Sequence, residues 1–202
     1  MPGPAVLQPY DPIWPVRAAR MLDALRGALE PFGIPAEFEH IGSTSVPGLV
    51  AKAYVDLQVR MTEFPPAEAL DPALADTGFV PATGSRPDSP GVYRDIPRGS
   101  ERVPDDVWRK RLFVHDIDGP RAAILHVRSS ASPWGRYTVW FRDWLRAHPD
   151  ARDAYAQFKA ATAAAHAGDA DFDDYTRAKT AFFDQVQARF EAWGRQRVGS
   201  RS

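Results

Sequence analysis

The stretch that decides the fold runs Ala36-Glu37-Phe38-Glu39-His40-Ile41-Gly42-Ser43-Thr44-Ser45-Val46-Pro47-Gly48 and resumes as Ala53-Tyr54-Val55-Asp56-Leu57-Gln58-Val59-Arg60-Met61. Its first six residues alternate as a strand does, then break into a turn of small residues. From Ala53 to Met61 the alternation returns, with Val55, Leu57 and Val59 on one face and Tyr54, Asp56, Gln58 and Arg60 on the other. One carboxylate therefore stands on a strand soon after a Gly-Ser turn. At a helix N-terminus, the backbone N–H groups of Gly42-Ser43 can hold a phosphate, with the serine hydroxyl as a further donor. Two carboxylates at positions 56 and 58 would share Mg²⁺ and orient attacking and leaving oxygens. The second position is Gln58, whose neutral amide is a poor Mg²⁺ ligand. The same residues also read as an ordinary turn and a strand aspartate paired with an arginine.

Outward from this stretch, Asp11-Pro12 opens a helix reaching Phe32, with Leu22, Leu25, Leu29 and Phe32 on one face. Residues 62–109 are poorly patterned and broken by prolines and glycines; a short helix near Ala67–Ala75 and a strand near Phe79–Val80 are the elements expected there. Arg111–His115 and Ala122–Val127 flank Asp116-Ile117-Asp118-Gly119-Pro120, a hairpin signal. Helices follow over Tyr137–His148, from Asp150 to Ala165, and over Asp171–Trp193. The expected organisation is an α+β core with its N-terminal helix over residues 1–149, a C-terminal helical cap over 150–194 and a disordered tail over 195–202.

The 202 residues carry 25 basic and 26 acidic side chains, a net charge of −1 and no cysteine. That composition excludes disulfides, thiolate metal sites and cysteine nucleophiles, and argues against a nucleic-acid-coating surface. No apolar run approaches the roughly 18 residues of a membrane span and the start lacks a signal-peptide pattern, so the expectation is a cytoplasmic protein. Among so many arginines only Lys52, Lys110, Lys159 and Lys179 are lysine. Arginine cannot replace a compact ammonium everywhere, so Lys52, Lys159 and Lys179 are candidates for phosphate contact. Two of them recur in an echo, Tyr155-x-x-x-Lys159 and Tyr175-x-x-x-Lys179.

The spacing of Gly42-Ser43, twelve residues, then Asp56-Leu57-Gln58-Val59 resembles the signature of polymerase-β-like nucleotidyltransferases. A wider set closely resembles the GrpB family: Tyr10–Pro15, His40–Leu49, Lys52, Asp56, Leu125-His126-Val127, Phe141–Arg146 and Tyr175-x-x-x-Lys179. The resemblance spans nearly the whole chain. It implies a nucleotidyltransferase-like mixed sheet flanked by helices, a domain elsewhere fused to dephospho-CoA kinase, and no assigned reaction. Many relatives read Lys-Pro-Ile-Ile-Asp where this chain has Lys52-Ala53-Tyr54-Val55-Asp56.

The resulting site has Asp56 and His126 as catalytic residues, the latter where such enzymes place a third carboxylate. Gly42, Ser43, Ser45, Lys52, Arg142 and Lys179 would bind phosphate or nucleotide. Asp56, His126 and His40 would hold a divalent metal, Mg²⁺ or Mn²⁺, or Zn²⁺ by virtue of the imidazoles. His126 equally reads as a half-buried histidine satisfied by a neighbour, and Arg142 with Arg146 as a solvated face pairing with Asp143 and Asp150. Two functions fit: nucleotidyl or phosphoryl transfer, or a non-catalytic module binding a nucleotide or CoA precursor. An adaptor using its arginine-rich cap is a third. No dinucleotide fingerprint, Walker sequence or serine-hydrolase elbow is present.

Overall fold

Asp11 starts the first helix. Its Oδ1 accepts the Ile13 N–H at 2.8 Å and its carbonyl accepts that of Trp14, across Pro12, which has no N–H to satisfy. In the computed structural model, which describes residues 5–83, 91–116, 121–171 and 173–199, this helix, α1, spans Ile13–Leu29. Trp14, Ala18, Leu22, Leu25 and Leu29 are its buried stripe. A 3₁₀ turn, Glu30–Phe32, and Gly33 in the left-handed region end it.

Five strands form the sheet: β1 (Ala36–Ile41), β2 (Val55–Met61), β3 (Val80–Pro81), β4 (Lys110–Asp116) and β5 (Arg121–Ser129). Their order is β1-β2-β5-β4-β3, and only the central β2–β5 pair is parallel. One face carries Leu57, Val59, Met61, Phe113, Leu125 and Val127, buried beneath α1 and the short helix α2 (Ala67–Ala75). Each such side chain contributes roughly 1.5–3 kcal/mol on burial, so this face drives folding. The opposite face is left for polar groups. Register there places Asp56 beside Ile124, Gln58 beside His126, and Lys110 beside Arg128.

Three helices cover that polar face: α3 (Pro133–Ala147), α4 (Pro149–Ala165) and α5 (Asp173–Gly199). They share a second core of Tyr137, Trp144, Leu145, Tyr155, Phe182, Val186 and Phe190, with Val46 and Leu49 from the turn after β1. The sheet-and-helix-cap architecture is the α+β class read from the sequence, and β4 and β5 pair as the expected hairpin; its tip, 117–120, lies outside the described residues. Two boundaries move. The cap begins at α3 rather than at residue 150, because α3 packs on α4 and α5. The tail expected to be disordered from Arg195 is helical to Gly199, with Arg195 paired to Glu101 and Glu191. Among the described residues no helix is long and apolar enough to cross a membrane.

Candidate functional site

Gly42 leaves β1 with φ 71° and ψ −172°, a conformation open to glycine. A Cβ there would lie 2.2 Å from Oδ2 of Asp56. The missing side chain makes room for the carboxylate, which explains the glycine without a ligand. Ser43–Ser45 then form one 3₁₀ turn, not the helix N-terminus that would hold a phosphate. The Ser45 N–H and hydroxyl both donate to the Gly42 carbonyl, at 3.3 and 2.5 Å. Ser45 is thus spent on closing the turn, whereas Ser43 lines the cleft and its hydroxyl bonds the Tyr155 side chain.

Behind Asp56 the polar face is a buried network. Arg128 donates to both Asp95 carboxylate oxygens, at 2.6 and 3.0 Å, and Lys110 lies 3.0 Å from the same group. Burial pushes the Asp95 carboxyl up, but Arg128 and Lys110 hold it below the usual range. Gln58, fully buried, donates to the Gly135 carbonyl at 3.0 Å and accepts from Arg128 and Thr138 at 2.9 and 3.0 Å. Position 58 therefore locks β2 to α3 and β5, and its side-chain oxygen already has two donors.

His126 is fixed by the same network. Its Nδ1 lies 3.1 Å from Lys110 Nζ and 3.3 Å from Arg128 Nη2. An ammonium and a guanidinium only donate, so Nδ1 accepts and the proton sits on Nε2. Burial, then Lys110, Arg128 and Lys179, hold the imidazole well below its ordinary pKa, which keeps it neutral. Nε2 faces Asp56 Oδ1 at 4.0 Å.

Between this floor and the helices opens a cleft of about 660 Å³. All four lysines of the chain line it. Lys52 lies over the rings of Tyr54 and Tyr175, Lys179 over Tyr175, and Lys159 over Tyr155. The sequence echo is thus a pair of Tyr-x-x-x-Lys units, one on α4 and one on α5, aimed into one space. Burial pushes the Asp56 carboxyl up, against the pull of Lys179, Lys52, Lys159 and Arg128. Burial likewise lowers Lys159 and Lys179, with Asp56 opposing the shift in both. Lys159, almost fully buried, is pinned to the Val50 carbonyl. Apolar lining comes from Val92, Leu112, Val114, Ile124 and Phe141.

Asp56, His126, Lys52 and Lys179 are brought together; His40 is not. In β1 it is in register with Leu57, so its side chain leaves the sheet on the face opposite Asp56 and pairs with Thr44 Oγ1 at 3.0 Å. Arg142 is engaged by Glu39, the His40 carbonyl and Asp143, and Arg146 by the Ser45 carbonyl and Asp143, so both tie α3 to the β1 turn. A divalent metal fits poorly here. Asp56 is one carboxylate facing lysines, His126 presents an N–H, Gln58 is committed and His40 points away. Among the described residues no group of three His, Asp or Glu side chains is placed to hold a metal ion.

Sequence reasoning missed Asp95, hidden in the poorly patterned stretch, and the role of Lys110. Alternation along β5 puts Arg128 on the same face as His126.

A family model described as GrpB protein matches residues 4–189. The chain belongs to the GrpB family. Its fold matches the crystal structure of conserved protein GrpB from Enterococcus faecalis with a TM-score of 0.69 at 24% identity, covering 93% of this chain and 99% of that one. A UPF0157 protein of Pseudomonas aeruginosa is 32% identical over 90% of this chain and 64% of its own length. A dephospho-CoA kinase of Mycolicibacterium paratuberculosis is 29% identical over 95% of this chain but 47% of its own. The chain thus spans about half the length of the mycobacterial relatives it matches.

Proposed function

We propose that this GrpB chain binds a phosphorylated small molecule, a nucleotide or a CoA precursor, in the cleft between sheet and helical cap. The observation that carries this reading is the convergence of every lysine in the chain on one cleft around Asp56. Lys52 and Lys179 offer ammonium groups to phosphate oxygens, while Lys159 is held back at the Val50 carbonyl and contributes its field. The apolar side chains opposite suit a base or another flat, weakly polar moiety. Asp56 is the acceptor for a ligand hydroxyl or amine. Binding is favoured over nucleotidyl transfer because Gln58, where a second metal carboxylate would stand, is sealed beneath α3.

The dephospho-CoA kinase relatives make dephospho-CoA a natural first compound, beside ATP. Calorimetric titration of both, with adenosine as the phosphate-free control, tests the proposal. Saturable binding of a phosphorylated compound, absent for adenosine and weakened in Lys179→Met, supports it. No binding of either phosphorylated compound, or equal binding of adenosine, refutes it.

A further inference from the structure

We infer that the cleft takes its phosphorylated ligand without a divalent metal, the Lys52 and Lys179 ammonium groups and the His126 Nε2–H supplying the positive field that a metal would otherwise provide. This rests on the phosphate-binding reading above and goes beyond it by stating how the charge is neutralised.

Three features carry it. First, the hydrogen on His126 is set by geometry: Lys110 and Arg128 donate to Nδ1, so the cleft-facing nitrogen is a donor with no lone pair for a metal. Its neighbours Lys110 and Arg128 are themselves bound to Asp95, which fixes them in place. Second, the glutamine beside His126 in the sheet has its carbonyl oxygen filled by Arg128 and Thr138, so Asp56 has no second oxygen ligand on its strand. Third, Lys179, Lys52 and Lys159 act on Asp56 together. A divalent cation at Asp56 would meet the field of the lysines that line the same partly desolvated cleft, where repulsion is weakly screened. An oxyanion meets the reverse. Asp56, seated against Gly42 on the cleft floor, opposes the loss of charge that burial imposes on Lys159 and Lys179.

The test is calorimetric titration of ATP into the protein in EDTA and in excess Mg²⁺. ATP is expected to bind in EDTA at least as tightly as with Mg²⁺, since the metal masks the oxygens the lysines need. Lys179→Met is expected to weaken binding in EDTA at least tenfold, and Lys179→Arg to recover part of the loss. Circular dichroism confirms that the variants fold, and Lys52→Met serves if Lys179→Met does not. Binding that appears only with Mg²⁺, or Mg²⁺ binding by itself that Asp56→Asn abolishes, overturns the metal-free inference and leaves the phosphate-binding reading intact. Binding of neither ATP nor dephospho-CoA in either condition overturns both.

Discussion

Replacing Gly42 with alanine isolates the contact on which the site is built. At φ 71° and ψ −172° the residue lies where an L side chain costs on the order of 1–3 kcal/mol. The added Cβ would also sit 2.2 Å from Asp56 Oδ2 and 2.8 Å from Cβ and Cγ. The carboxylate or the turn must shift to relieve the overlap, so the total loss is expected at about 2–5 kcal/mol, the backbone term plus about 1–2 kcal/mol for overpacking. Urea denaturation of wild type, Gly42→Ala, Asp56→Ala and the double variant separates the two terms. In the Asp56→Ala background the overlap with the carboxylate is gone, while the 2.8 Å approach to Cβ and the backbone cost remain, so a coupling energy of about 1 kcal/mol is expected. A loss below about 1 kcal/mol for Gly42→Ala, with an additive cycle, would refute the account of the glycine.

Other perturbations probe the floor and the face opposite. Arg128→Met strands the buried Asp95 carboxylate with Lys110 as its remaining cation, and urea denaturation should show a loss of about 3–5 kcal/mol; less than 1 kcal/mol would mean the pair is not buried as described. Gln58→Glu places a carboxylate where a metal site would want one, but loses the donor to Gly135, so it should destabilise by about 1–3 kcal/mol without conferring Mg²⁺ binding. A variant of unchanged stability that binds Mg²⁺ by calorimetry would contradict this. His40 is lowered from 6.5 to about 4 by burial, then by Arg146 and Arg142. The unfolded histidine takes a proton below pH 6.5 and the folded one does not until about pH 4, so this stability is whole above 6.5 and lost as pH falls through that window, by up to about 3 kcal/mol. His40→Gln should flatten the acid limb accordingly; identical pH profiles would show that the ring is not held neutral.

Much of the fold was legible because its signals are local. Alternation in Val55–Met61 marks a strand wherever the chain goes, and the spacing of Leu22, Leu25 and Leu29 marks a packed helix face. What could not be read was decided by register and packing. His40 and Asp56 look like neighbours across a turn, yet antiparallel pairing puts His40 opposite Leu57 and on the wrong face. Gln58 looks like a defective metal ligand, and only the arrival of α3 shows it as a latch. Asp95 sits among prolines and glycines with no pattern to announce it, and becomes central because Arg128 and Lys110, adjacent only across β4 and β5, need a counter-charge. The lysines were the exception. Their rarity is a compositional signal, and the fold brings them together.

That rarity also makes the decisive measurement simple. Protein labelled with ¹³C at the lysine ε-carbon carries four reporters, all in the cleft, assignable by single Lys→Arg variants. On titration with ATP in EDTA, the Lys52 and Lys179 resonances should shift saturably, while Lys110, bound to Asp95 and His126, should move little. Four unmoved resonances, or shifts that appear only after Mg²⁺ is added, would contradict direct recognition of phosphate by the lysines of this cleft.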